Sequence, residues 1–194
     1  MSQSARRPAT LDDFWAIPEG QRFHELIGGD LTQKAAPSGA HGGAQAGVVA
    51  TLGPPFQRRS GGGGPGGWWI ATEVELLLET SDVVRPDVVG WRRENSPERP
   101  TGMPVKVRPD WICEIVSPSN ATDDTVKKLR LYHQIAIAHY WIVDPRETTL
   151  TVMRWSRDGY VTLMRAERHE VVRAEPFQAI EIAIGTLFGD DPPG

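Results

Sequence analysis

The run 111–116, Trp-Ile-Cys-Glu-Ile-Val, is apolar at every position but one. Six residues is strand length, and a nearly unbroken apolar strand belongs in the middle of a sheet covered on both faces. A helical pattern follows over 122–136, with Val126, Leu129, Tyr132, His133 and Ala136 along one face, and then a second apolar strand over 140–143. Strand, helix, strand in that order predicts a crossover connection and a mixed α/β sheet. Asp144-Pro145-Arg146-Glu147 turns the chain into a hairpin, with strands over 148–155 and 160–165 around Arg157-Asp158-Gly159.

Upstream, Thr10 is a plausible N-cap for a helix over 11–17, stopped by Pro18. Residues 23–27 and 30–35 read as a hairpin turned by Gly28-Gly29. A helix over 41–52 is weakened by its glycines. Strands are expected over 69–79 and 87–92, an exposed Pro-, Arg- and Glu-rich loop over 94–108, and a closing strand and short helix over 177–188. The tract 60–67 formally contains G-x-G-x-x-G at Gly62, Gly64 and Gly67, but a dinucleotide loop must open a helix. Trp68-Trp69-Ile70 favours a strand there, so the tract reads as a surface loop. The 194 residues suit one domain over 10–188, between a flexible start (1–9) and a short tail (189–194).

Composition removes several classes. A net charge of −4 argues against retention on nucleic acid by bulk positive charge, though not against a local basic groove. Cys113 is the single cysteine, so disulfide and zinc-ribbon scaffolds fall away and a reducing cytoplasm fits. No apolar run reaches membrane-spanning length, and the start turns acidic before any signal-peptide core. There is no G-x-S-x-G, and neither His24-Glu25 nor His169-Glu170 has the second histidine of H-E-x-x-H.

Glu114 is the anomaly in the apolar run, since a carboxylate there is costly unless paired, protonated or bound to a cation. It shares a strand face with Ile112 and Val116. Asp87, after Pro86, opens the apolar run 88–91. Two carboxylates at the mouths of neighbouring strands can make a hard oxygen site for Mg²⁺ or Mn²⁺. Asp124, Lys128 and Tyr132 are spaced i, i+4, i+8 and fall on one helical stripe. Lys128 either reaches back toward Glu114 or makes an ordinary surface pair with Asp124. Glu25 is a fourth strand carboxylate, able to shape a metal site or to pair with an arginine.

Together these residues resemble the PD-(D/E)XK nuclease superfamily, and in detail its Uma-two branch of restriction-endonuclease-like proteins. The resemblance is carried by Phe23-His24-Glu25-Leu26-Ile27-Gly28-Gly29-Asp30 and Pro37-Ser38-Gly39-Ala40-His41, then Arg85-Pro86-Asp87 and Glu114-Ile115-Val116-Ser117-Pro118-Ser119-Asn120. It continues through Asp124, Lys128 and Tyr132 to His139-Tyr140-Trp141-Ile142-Val143-Asp144-Pro145. It implies a restriction-endonuclease-like mixed sheet flanked by helices, with N-terminal and C-terminal hairpins. It implies Asp87 and Glu114 as metal ligands, the Ile115 carbonyl as a further ligand, and Glu25 as an accessory acid, with His41 lining the site. The superfamily lysine two residues after the glutamate is Val116 here, and Lys128 matches the position to which the branch has moved it. The turn aspartate of the branch is Gly28, and a threonine is Asn120.

The function expected is a Mg²⁺- or Mn²⁺-dependent endonuclease hydrolysing phosphodiester bonds in DNA, with Asp87, Glu114 and Lys128 as catalytic residues. Arg92, Arg93, Arg99, Lys106 and Arg108 are candidates for a basic groove. The alternative is a non-catalytic, partner-binding protein on the same fold. A homodimer paired through a hairpin edge suits either reading.

Overall fold

The computed structural model describes residues 7–61, 63–117 and 121–192, the side chains of 121–125 lying outside that description. Thr10 caps α1 (Leu11–Trp15) in a capping box with Asp13. β1 (His24–Ile27) and β2 (Asp30–Gln33) form the first hairpin. Gly28 and Gly29 take φ +58° and +84°, the two left-handed conformations that a tight hairpin turn requires. β4 (Leu76–Leu77) and β5 (Val83–Val84) extend this pair into a four-stranded sheet of order β2-β1-β5-β4.

Ser38 starts α2 (Gly39–Phe56) by accepting from the His41 N–H. This helix outruns the expected 41–52 at both ends and includes Pro54 and Pro55 near its C-terminus, and one of its glycines is needed for packing. A Cβ at Gly47 would sit 2.5 Å from the Leu187 carbonyl oxygen, so the bare backbone permits the close approach of the 3₁₀ segment Ile184–Phe188.

The larger sheet has six strands in the order β10-β9-β8-β7-β6-β3. These are β3 (Trp68–Thr72), β6 (Val88–Arg92), β7 (Trp111–Ile115), β8 (His139–Asp144), β9 (Thr149–Ser156) and β10 (Gly159–Glu167). Only β7 and β8 run parallel, and α3 (Ala121–Gln134) makes the crossover between them. A short ribbon of β11 (Val171–Val172) and β12 (Ile182–Ala183) completes the fold. The mixed sheet, its flanking helices and the β1–β2 and β9–β10 hairpins are the architecture the sequence leads one to expect.

Side-chain alternation along β7 splits the core into two layers. Trp111, Cys113 and Ile115 face α2, with Trp141, Val143 and Phe177. Ile112 faces α3, with Leu131, Tyr132 and Tyr140. Phe177 touches four aromatic rings, with centroids 4.7 Å from Phe56, 4.9 Å from Trp68, 4.9 Å from Trp111 and 5.4 Å from Trp141. Such pairs add about 0.5–1.5 kcal/mol each beyond burial. Among the described residues no helix is long and apolar enough to cross a membrane.

Two expectations need correction. The strand expected over 69–79 is broken: β3 ends at Thr72, Glu73 takes φ +55°, and β4 joins the other sheet. No glycine or proline marks this break, and the local bond of the Glu73 N–H to the Pro86 carbonyl holds it. Val126, expected on the buried face of α3, is 41% exposed. The stripe that turns inward instead carries Lys128, Leu131, Tyr132 and Ile135.

Candidate metal centre

The polar cluster lies where β6 begins and β7 ends. In their antiparallel register Val88 stands opposite Cys113, so one step further brings Asp87 alongside Glu114. Asp87 is buried, and its Oδ2 accepts from the Ile115 N–H at 2.7 Å. Its Oδ1 accepts from Lys34 Nζ at 2.8 Å, and His41 Nε2 stands 3.1 Å from the same oxygen. That His41 contact lies outside hydrogen-bond alignment, and neither ring nitrogen has a hydrogen-bond partner. Burial works to raise the Asp87 pKa, but His41 and Lys34 outweigh it and hold the carboxyl well below the usual range.

Glu114 leaves β7 toward α3. Tyr132 donates to its Oε1 at 2.7 Å, and Lys128 Nζ lies 3.3 Å from both carboxylate oxygens. The same ammonium is 3.1 Å from Glu25 Oε1, which also accepts from the Arg85 N–H at 2.8 Å. Two carboxylates thus share one buried lysine. Burial pushes the Glu114 pKa up to about 7, with Asp87 and Glu25 adding repulsion against the pull of Lys128 and Lys34. Burial and Glu114 together raise the Tyr132 phenol well above its ordinary value, so it remains a donor.

Arg85 and Pro86 set the approach to Asp87. Arg85 and Arg22 both bind Glu75, at 3.1 and 3.3 Å, and Arg22 stacks over Trp15 at 4.8 Å. The motif arginine therefore fixes the connector between β5 and β6 rather than facing a ligand.

Of the residues singled out from sequence, Asp87, Glu114, Lys128, Tyr132, Glu25 and His41 gather at this end of the sheet. The Ile115 N–H faces Asp87. Asp124 lies in the first turn of α3, where the side chain is outside the described residues. The basic candidates separate: β6 runs from Val88 beside Asp87 to Arg92, so Arg92 and Arg93 sit about 17 Å away at the opposite end of the sheet. There they stack on Trp68 and Trp69 at 4.7 and 3.6 Å. Arg108 is likewise tied to the far end of α3 through the Ile135 carbonyl. These three cannot form a groove over the acids.

Three site residues escaped sequence reasoning. Lys34, just past β2, bonds Asp87, Glu73 Oε2 and the Arg85 carbonyl, each at 2.8 Å. Gln45 on α2 bonds Glu73 Oε1 at 3.2 Å and the Asp87 carbonyl at 2.7 Å. Glu73 owes its position to the left-handed kink after β3. Spacing offered no signal for them. The i, i+4 relation of His41 and Gln45 is the one pattern that could have linked two of the contacts.

A mixed sheet flanked by helices, with a buried nest of carboxylates and lysines at the mouth of its central strands, defines a nuclease-like α/β protein. The profile of one family, Uma2, described as "Putative restriction endonuclease", matches residues 11–185, and the chain belongs to that family. The crystal structure of a "putative nuclease belonging to DUF820" from Anabaena variabilis superposes with a TM-score of 0.71 at 23% identity, covering 93% of this chain and 98% of that one. A DrdV–DNA complex superposes with a TM-score of only 0.36 at 16% identity, over 79% of this chain and 14% of that one, and carries no weight here. No curated protein matches the chain.

Proposed function

We propose that this protein is a divalent-metal-dependent endonuclease acting on DNA, with Mg²⁺ (or Mn²⁺) held by Asp87, Glu114 and the Ile115 carbonyl. The observation that carries the reading is the meeting of Asp87 and Glu114, from adjacent strands, beside the buried Lys128 and the half-buried Lys34. The donor set suits a hard cation: two carboxylates and a main-chain oxygen. In an extended strand the N–H and C=O of a residue leave from one edge, so the Ile115 carbonyl shares the edge on which its N–H meets Asp87. Glu114, strained as an anion by burial, gains most from a cation.

Such a cation, when bound, supplies charge neutralisation at the phosphate and acidity toward water. The chain's own groups do the rest. Tyr132 and Lys128 fix the Glu114 carboxylate. Lys128 also adds positive charge where a phosphodiester would gain negative charge. Cys113 takes no part as a nucleophile, because burial raises its thiol well above the ordinary value. The protein works as a homodimer in this reading, joined through β10, an edge strand with Val161 47% exposed. The buried free thiol is compatible with the cytoplasm.

The test is nicking of supercoiled plasmid with Mg²⁺ or with EDTA. Cleavage is expected only with metal, and is expected to vanish in Asp87→Asn and Glu114→Gln. Cleavage that persists in EDTA, or survives Glu114→Ala, would overturn the assignment.

A further inference from the structure

A second donor set shares Asp87 but not Glu114. One ligand atom each from His41, Glu73 and Asp87 lies within 4.8 Å of the others. Donors set tetrahedrally around one cation at roughly 2.0–2.2 Å stand about 3.3–3.6 Å apart, so side-chain shifts of up to about 1 Å close the set. His41 is the telling member. Its side chain is 7% exposed, its Nε2 points at Asp87 Oδ1 from 3.1 Å, and both ring nitrogens lack a hydrogen-bond partner. A buried imidazole in that state is costly unless a further group engages it.

The surroundings hold these donors in place. His41 lies in the first turn of α2, fixed by the Ser38 cap, and Gln45 one turn later braces both Glu73 and the Asp87 main chain. Glu73 reaches the cluster only through its left-handed backbone at φ +55°. A non-glycine residue held there is strained, and the packing around it must support the conformation. Lys34 Nζ stands 2.8 Å from Asp87 Oδ1 and 2.8 Å from Glu73 Oε2, as a positive charge between the two acids.

We propose that His41, Glu73 and Asp87 form a second cation site, selective for a divalent transition metal, and that the Lys34 ammonium takes the place of the ion when the metal is absent. One imidazole with two carboxylates favours a borderline cation over Mg²⁺ or Ca²⁺, which take oxygen donors. Binding requires Lys34 to swing away, so the lysine sets the metal concentration at which the site fills. The inference shares Asp87 with the hydrolytic reading but does not depend on hydrolysis.

The experiment is equilibrium Mn²⁺ counting by electron paramagnetic resonance on the chelator-stripped full chain. Two ions per chain are expected. His41→Ala and Glu73→Gln should each lose one ion that a tenfold excess of Mg²⁺ does not displace, and Lys34→Met should tighten that ion by at least tenfold. Wild-type stoichiometry in His41→Ala, with affinity within twofold, would overturn the proposal, as would an unchanged affinity in Lys34→Met. Should His41→Ala fail to fold, the Glu114→Gln protein, in which the first centre is disabled, decides: sub-stoichiometric Mn²⁺ must broaden the His41 ring resonances ahead of those of His24, His133, His139 and His169, and sharp His41 signals at saturation refute it. Glu114→Gln separates the two readings. If it leaves both ions bound while His41→Ala removes one, the hydrolytic centre fails and this site stands.

Discussion

Exchanging Glu114 for glutamine removes one charge and almost no volume. In the folded protein its pKa is pushed up to about 7, from an ordinary value of about 4.5. The native state therefore keeps a proton that the unfolded chain releases, and stability falls as pH rises between those two values. At about 1.4 kcal/mol per unit, holding Glu114 ionised at pH 8 costs about 3 kcal/mol. Glutamine still accepts from the Tyr132 hydroxyl, and Lys128 keeps Glu25 as its partner. Urea denaturation in EDTA should find Glu114→Gln more stable than wild type by about 1–3 kcal/mol at pH 8, and nearly equal to it at pH 5. Adding Mg²⁺ should raise the wild-type midpoint and leave the variant unmoved. A variant less stable than wild type at pH 8, or a difference independent of pH, would refute the reasoning that this carboxylate is held at a loss.

Lys128→Met strips Glu25 and Glu114 of their shared ammonium and should cost about 3–5 kcal/mol at pH 8 by chemical denaturation, shrinking toward pH 5 as Glu114 takes a proton. Asp87 has a lowered pKa, so its contribution is complete above the ordinary carboxylate range and disappears as pH falls through the folded value. Asp87→Asn should therefore flatten the acid-unfolding curve below about pH 4, followed by circular dichroism. Gly47→Ala would drive a methyl against the Leu187 main chain and should lower stability by about 1–3 kcal/mol, read as a drop in Tm.

The central strands, the crossover helix and both hairpins could be read from apolar runs, Gly28-Gly29 and the Arg157-Asp158-Gly159 turn, because each follows from local patterning. The break at Glu73 could not, since its left-handed φ is imposed by contacts with the β5–β6 connector rather than by a turn residue. Glu114 drew notice because it was chemically out of place. Lys34 did not, because a lysine after a short polar strand looks like any surface lysine until folding sets Asp87 and Glu73 against it. The basic residues over 92–108 misled for the complementary reason. Composition reveals charge but not which end of a strand it occupies, and β6 carries Arg92 and Arg93 away from the acids.

The lone parallel pairing in the large sheet has a consequence for how the molecule comes into being. β8 cannot dock on β7 until the connecting helix has been made, and that helix brings Lys128 to Glu25, a residue of the first hairpin. A chain emerging from the ribosome therefore cannot set Lys128 between Glu25 and Glu114 until that crossover has formed, whereas the contacts among Lys34, Glu73 and Asp87 join residues made much earlier.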